Sequence, residues 1–472
     1  MSLAEPLFDY YHDIIPDKDH WHEIVSQALP TCFWANPLKT TPEKLHDMLV
    51  NDDCEITPLA WHPAAFKTQQ SSFGKRWEYI TGLFQIQEEV SMLPITFLDP
   101  KPGERVLDLC AAPGNKTAEM AVRMQNQGSV IANDRNYNRM RALGQISKRL
   151  GLMNISTSNY DGRNFPSVLD YFDKVLVDAP CSGEGTFRKH PKRMTTPDIR
   201  NSRRLHHIQV ALLKKAIQVC KPGGRIVYST CTFSPEENEA VINAILKMQG
   251  DIVKVVPATL IDFQYSSGIT AWKDNTYDPA LKDTLRAWPH LNNTGGFYVA
   301  VLEKFASDNR SNCAFAIRHT SEKIPDYINL LHQRFNIEDR IFEKYNFTDE
   351  SSRGIYMVNR DNQIPAGIKL DATGLFFMKT KIRHPKLSTA AAMLLGQYVG
   401  KNKITLTQEQ RTAYFQGDDV TLNASQVKNC TGTGYVVLTC QDVYLGLGLY
   451  FEENSKRDPM LRSLFPKYLR SI

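Results

Sequence analysis

The chain has no uninterrupted apolar stretch near the ~18 residues that a membrane span requires. Its opening, MSLAEPLFDYYHD, lacks the basic start and apolar run of a secretory leader. Neither membrane insertion nor secretion is expected. Cysteine is sparse: nine in 472 residues, an odd number, with no CxxC pair. That argues against a disulfide framework and a CxxC-built zinc site, and makes a reducing cytoplasm the expected compartment. Neither sign of charge dominates, since 56 Lys and Arg against 51 Asp and Glu leave a net charge of +5. This permits a nucleic-acid partner without announcing one. Internal repeats and low-complexity tracts are also missing. What is present suits packed cores: 42% of residues are hydrophobic and 23% charged, which excludes wholesale disorder. The length implies roughly two to four domains.

The middle third alternates strand and helix patterns. Apolar strand-like runs occupy 104–111, 129–134, 155–161, 173–179 and 225–231, with closing strands at 251–257 and 295–305. Helical spacing occupies 116–126, 137–151, 204–220 and 235–248. This order predicts an α/β domain with a parallel sheet covered by helices on both faces. In such sheets ligands sit beyond the carboxyl ends of the strands, at the switch in strand order. The first 95 residues are of mixed pattern, and 306–320 is a Ser/Asn-rich linker. A mixed region over 321–385 and a strand-rich region over 386–472 follow, the latter ending in a tail with Lys456, Arg457, Arg462, Lys467 and Arg470 beside Phe465 and Tyr468.

The loops after the first five strands carry chemistry. The first, LDLCAAPGNKT (107–117), places the small residues Ala111, Ala112 and Gly114 before a helix start. It is not a phosphate loop, because that motif needs glycine where Cys110 and Asn115 stand. Asp134 and Asp161 end the second and third strands. Either acid alone suits a turn or cap, but two at successive tips favour an adenosine-type ligand. Cys181 and Cys231 follow the fourth and fifth strands in VDAPCSGEG and YSTCTFSPEEN. If those strands are neighbours, about 4.8 Å apart, both thiols face one cleft. A lone cysteine is ordinarily an inert hydrophobe, the fate expected for Cys220. A metal site is the rival for the pair, without CxxC or HxxxH support. Between these loops lies RKHPKRMTTPDIRNSRR (188–204), with Arg188, Lys189, Lys192, Arg193, Arg200, Arg203 and Arg204 against the single acid Asp198. Such a run is ordinarily a solvated face; beside the cysteine loop it is placed to grip a phosphate backbone.

At these residues the chain resembles the Sun/NSUN family of RNA (cytosine-5) methyltransferases. LDLCAAPGNKT is similar to that family's S-adenosylmethionine loop, DAPCSG to its motif IV and STCT to its motif VI. GLFQIQEEVSM (82–92), CFWANPLKT (32–40) and GGFYVAVLEK resemble its flanking segments, so the specific likeness covers roughly residues 25–305. More weakly, 367–396 and 434–448 resemble the connecting domain and PUA-like barrel of bacterial RsmF-type small-subunit rRNA enzymes. Two departures stand out: Asn115 where the family usually has glycine, and His190 where RsmF-type chains usually carry an acid. Asn115 is expected to preserve the loop by tolerating left-handed backbone angles.

The resemblance implies a Rossmann-like domain with a mostly parallel seven-stranded sheet over 96–305. An N-terminal RNA-binding domain (1–95), a connecting α+β domain (321–385) and a PUA-like RNA-binding domain (386–472) would surround it. It implies S-adenosyl-L-methionine as cofactor, S-adenosyl-L-homocysteine as product, and no metal. Cys110, Ala111, Ala112, Pro113, Gly114, Asn115 and Lys116 would hold the methionine end, Asp134 the ribose and Asp161 the adenine amine. Cys231 would attack C6 of cytosine, Cys181 would assist release, and Asp178 would bind the base near N3 beside the cofactor. The implied partner is 16S rRNA of the small ribosomal subunit; no membrane or protein partner is implied. A tRNA substrate and a non-catalytic ribosome-assembly factor are the alternatives. An amino-group methyltransferase would carry a D/N-P-P-Y/F/W type loop where Asp178-Ala179-Pro180-Cys181 stands, and a dinucleotide oxidoreductase would need a G-x-G-x-x-G that is missing.

Overall fold

The protein is described by a computed structural model covering residues 5–191, 196–306, 322–348, 351–453 and 458–467. The expected linker at 306–320 lies outside those residues from 307 onward, as do Lys192, Arg193, Lys456, Arg457, Tyr468 and Arg470. Among the described residues no helix is long and apolar enough to cross a membrane.

A small antiparallel sheet opens the chain, in the order Thr57–Pro58, Ala65–Thr68, Thr31–Ala35, Phe84–Ile86. TCFWA is almost wholly buried, and Phe33 lies 4.8–5.5 Å from the rings of Phe66, Phe73 and Phe84. Helix α1 (Glu89–Leu98) follows. The domain boundary expected at residue 95 falls inside it. The reason is its sequence, EVSMLPITFL: eight of ten residues are buried, so this helix is sandwiched against the large sheet rather than ending the first domain.

The large sheet is built from β1 (Arg105–Asp108), β2 (Ser129–Asn133), β3 (Ile155–Ser158), β4 (Phe172–Asp178), β5 (Cys220–Thr230), β6 (Val253–Val256) and β7 (Phe297–Lys304). Their order is β3-β2-β1-β4-β5-β7, with β6 also on β7. The first five run parallel; β7 is antiparallel to β5 and to β6. These are the seven expected strands, and three short ones extend the sheet to ten. Leu285–Ala287 and Ser266–Ser267 continue beyond β7, while Ala372–Thr373 comes from the C-terminal half to pair with β3.

Helices α2 (Asn115–Arg123), α3 (Tyr137–Leu150), α4 (Ile199–Val219) and α5 (Glu239–Gln249) connect the strands. Asn136 caps the start of α3, and Gly151 stops it at φ 81°, a left-handed angle that glycine accepts without strain. α4 begins earlier than expected because the Asp198 side chain accepts from the Arg200 and Asn201 amides. α5 begins later, because Pro235–Asn238 form turns ahead of it. Strand order reverses between β1 and β4, so the loops after them flank the switch point.

Downstream, helix Ile324–Phe335 precedes a four-stranded antiparallel sheet of Tyr345–Phe347, Ile355–Asn359, Leu375–Lys379 and Lys386–Leu387. The last strand was expected beyond a boundary at 385, but it pairs with Leu375–Lys379 and closes this sheet instead. The final five-stranded sheet has Gly434–Cys440 and Val443–Phe451 at its centre. They form a hairpin across Gln441 and Asp442, at φ 48° and 61°, the angles of a tight two-residue turn.

Candidate active site

The site is assembled from the loops that leave the carboxyl ends of the sheet. β4 and β5 are adjacent and parallel, and their register sets Asp178 opposite Ser229. The chain then turns out of both strands, and the sulfurs of Cys181 and Cys231 meet at 3.4 Å as free thiols. The Gly185 amide donates to the Cys231 carbonyl at 2.9 Å, and the Ser182 and Thr232 hydroxyls bond at 2.7 Å. Glu237, fully buried, accepts from the Ser182 amide, the Ser202 hydroxyl and the Gln209 amide, each at 3.0 Å. It thereby ties the Cys181 loop to α4. The hydrogen bond to Cys231, burial and the Glu237 charge push the Cys181 thiol well above its usual range. The two sulfurs are thus in direct hydrogen-bond contact.

Asp178 ends β4, three residues before Cys181. Its Oδ1 accepts from the Ser229 hydroxyl at 2.8 Å and its Oδ2 from Lys116 Nζ at 2.9 Å. The ammonium also sits 5.3 Å from the centre of the Phe297 ring. Burial opposes the charge on Lys116, but Asp178, then Cys231 and Asp108, outweigh burial and raise it. A fixed cation thus faces the Asp178 carboxylate.

The first loop lies alongside. Ala111, Ala112 and Gly114 are buried, Pro113 is exposed at the tip, and the Cys110 thiol is raised by burial and then by Asp108, Asp134, Asp178 and Asp161. Four carboxylates, at or just beyond the ends of four strands, thus act on one cysteine. Asp134 accepts from the Ala112 amide at 3.2 Å and the Asn136 amide at 2.7 Å. Asp161 is partly exposed, and the Arg163 guanidinium 2.6 Å away holds it below the usual carboxylate range. Asp108 accepts from Thr117 at 2.6 Å through Oδ2, while its buried Oδ1 has no protein partner.

The left-handed angle in this loop belongs to Gly114, at φ 114°, and not to Asn115. A Cβ on Gly114 would come within 2.6 Å of Leu143 Cβ, so glycine permits α2 to pack on α3. Asn115 is the first residue of α2, and its Oδ1 accepts from Gln85 at 2.9 Å. The loop needs no special tolerance from asparagine.

The sequence did not reveal the Lys116–Asp178 pair or the role of Glu184. Glu184 is buried; its Oε2 accepts from Tyr11 at 3.0 Å and Thr232 at 2.9 Å, and its Oε1 has no partner. The signal available for Glu184 and Glu237 was an acid inside each cysteine motif, GEG and PEEN. Nothing marked Tyr11. The basic run also divides. Lys189, Arg200 and Arg203 are exposed, whereas Arg188 is spent inside the fold. Its guanidinium donates to the carbonyls of Thr294, Gln27 and Ala28 and to Asn293. His190 is exposed beside it. Among the described residues no group of three or more His, Cys, Asp or Glu side chains could hold a metal ion.

Residues 95–303 match the family described as 16S rRNA methyltransferase RsmB/F, and residues 401–471 match the Methyltransferase RsmF PUA domain. The chain is 39% identical over 285 residues to the 28S rRNA (cytosine(4447)-C(5))-methyltransferase of Homo sapiens, covering 59% of this chain and 35% of that protein. It is 28% identical over 473 residues to the ribosomal RNA small subunit methyltransferase F of Vibrio cholerae, covering 95% and 94%. It is 33% identical over 306 residues to the tRNA (cytosine(49)-C(5))-methyltransferase of Pyrococcus abyssi, covering 64% and 97%. The chain thus spans about a third of the human protein but nearly all of the other two.

Proposed function

The chain belongs to the RsmB/F family of RNA methyltransferases, and from this premise we propose that it methylates C5 of a cytosine in 16S rRNA of the small ribosomal subunit, in the cytoplasm. The observation that carries the reading is the pair of thiols 3.4 Å apart together with a lysine-bound aspartate. The small-subunit substrate is supported by likeness to the Vibrio protein along the whole chain, C-terminal barrel included. The opening sheet and the barrel are the RNA-contacting domains of this reading.

The donor set fits S-adenosyl-L-methionine. Four carboxylates around a loop of small residues, one with an orphaned buried oxygen, suit a ligand carrying cationic centres and hydroxyls. Asp134 would hold the ribose hydroxyls, Asp161 the adenine amine, and residues 110–116 the methionine end. When bound, the cofactor supplies an electrophilic methyl group.

The protein's own part is to make cytosine nucleophilic at C5. The Cys231 thiolate adds to C6, forming a C–S bond and moving the ring electrons towards C5 and N3. The Lys116 charge acts on that sulfur before attack, and Asp178 bonds the base near N3, where charge gathers. After methylation the C5 proton passes to solvent water, the C5–C6 double bond re-forms, and Cys231 departs as thiolate. Cys181, protonated and in contact with that sulfur, assists the departure. The base must be unstacked or single-stranded to reach the cleft.

The two cysteines therefore have separable phenotypes. Cys231→Ala should abolish methylation and every covalent enzyme–RNA species. Cys181→Ala should methylate once and stall as a complex that survives denaturing electrophoresis and vanishes in the double variant. A Cys181→Ala enzyme that turns over normally would refute the release role, and trapping by Cys231→Ala would exchange the two. Bisulfite sequencing of rRNA and tRNA from a deletion strain tests the substrate: loss of a tRNA mark alone would move the assignment to tRNA, as in the Pyrococcus relative's name.

A further inference from the structure

A cavity of about 370 Å³ lies away from the catalytic cleft, where four parts of the chain meet. Its walls include Ile80 from the opening sheet region, Lys148 and Arg149 from α3, Lys379 and Lys386 from the connecting sheet, and Leu447 from the barrel. α3 starts beside Asp134 and spans 14 residues. At 1.5 Å per residue its last turn lies about 20 Å from the catalytic edge. The cavity is thus remote from the thiols.

Its charge is one-sided. Lys148, Lys379 and Lys386 line it, no Asp or Glu does, and among the described residues none of the three has a carboxylate partner. Burial first, and then a neighbouring cation, lowers Lys148 (through Arg353) and Lys386 (through Lys379). Arg149 on the wall is held by backbone carbonyls and the Gln85 side chain and not by an acid, and behind it lies Lys39, which burial and then Arg149 push down to about 7. Concentrating like charges is costly unless an anion offsets them, and the fold supplies none here. The rest of the lining is mostly apolar, with Leu387, Met393, Leu447 and the half-buried Phe376 ring beside the uncharged polar residues Gln145, Ser388 and Thr389. Cations above an apolar floor with an aromatic face match a nucleotide: phosphate on the lysines, base on the floor.

We propose that this interdomain cavity binds one nucleotide of the RNA substrate as an anchor remote from the target base. The proposal rests on the RNA-methyltransferase reading. It adds a contact that joins α3, the connecting sheet and the barrel around the bound strand.

The test uses the full chain and a labelled single-stranded RNA oligonucleotide. Lys379→Gln/Lys386→Gln should weaken RNA binding about tenfold and flatten the log–log salt dependence by about 0.7 per lysine. The corresponding Lys→Arg pair should keep the slope. The melting temperature and S-adenosyl-L-methionine affinity should be unchanged, since both lysines lie away from that loop. Calorimetry with orthophosphate and cytidine 5′-monophosphate separates the sources. Binding of either to the parent, abolished in the Gln pair with RNA binding unchanged, overturns the RNA assignment in favour of a free phosphate ligand. No change in any titration overturns the site altogether. If the parent chain transfers no methyl group to any RNA, the failure lies in the function reading and not in the cavity.

Discussion

Glu184 and Asp108 are carboxyls enclosed by the catalytic edge, and burial first of all pushes both up to about 7. For Glu184 the hydrogen bonds from Thr232 and Tyr11 pull the other way without prevailing. A carboxyl raised in the folded state binds its proton more tightly there than in the unfolded chain. Its contribution to stability is complete below the ordinary carboxylate range and is lost as pH rises through about 7. The melting temperature should therefore fall between pH 5 and pH 8. Glu184→Gln, which stays neutral, should remove part of that fall, gaining on the parent as pH rises. At 1.36 kcal/mol per pH unit the relative gain is at most about 3 kcal/mol. Paired thermal scans across that range check it; parallel curves would mean that Glu184 is ionised throughout. The same residue shows what a sequence conceals: GEG is visible in the motif, but the hydroxyl of Tyr11, 173 positions away, is not.

At the scale of elements, the basic run before and within α4 separates into two classes that composition alone merges. Arg188 is half-buried, and its two terminal nitrogens are taken up by three carbonyls and Asn293. Arg188→Ala would leave those acceptors unpaired, so it should cost about 1–3 kcal/mol of stability in chemical denaturation. The salt dependence of RNA binding should not change. Lys189, Arg200 and Arg203 face solvent. Replacing all three by Gln should leave stability nearly intact and flatten the salt slope by about 0.7 for each phosphate no longer neutralised. A slope indifferent to the triple change would leave α4 as an ordinary solvated helix. α1 makes a related point. Its apolar residues were legible as a hydrophobic run, but a run without period does not say which domain it completes, and only the sheet behind it decided that.

At the scale of the whole molecule, the barrel is packed onto the opening domain and the connecting sheet. Phe33, Phe66 and Phe84 share one apolar cluster with Tyr414, Val436 and Leu438, and the Arg411 guanidinium lies 4.3 Å from the centre of the Trp77 ring. A second cluster joins Met153 of the large domain to Phe377 and Leu447. Removing residues 386–472 would strip the last strand of the connecting sheet as well as the barrel. Such a truncation should lower the melting temperature together with RNA affinity, not RNA affinity alone. Arg411→Ala is the gentler probe: it should cost about 0.5–1 kcal/mol, the scale of an exposed cation–π contact. Equal urea midpoints for parent and variant would show that the seam does not depend on it.

The sequence by itself determined the alternation of strand and helix, the loops that carry chemistry and the identity of both cysteines. These follow from short-range rules: period two or 3.6, a cap three residues from its amide, a glycine where a turn needs one. Parallel neighbours in a sheet then brought Cys181 and Cys231 to 3.4 Å, as the adjacency of their strands required. Tertiary structure alone decided which cations are free, where α1 and the strand Lys386–Leu387 belong, and that Lys116 reaches Asp178, 62 residues along the chain. It alone gathered Lys148, Lys379 and Lys386 around one cavity. Contacts between distant segments leave no periodic trace in a sequence, because they depend on how finished elements stack, and that is set by the burial of whole faces and not by any one motif.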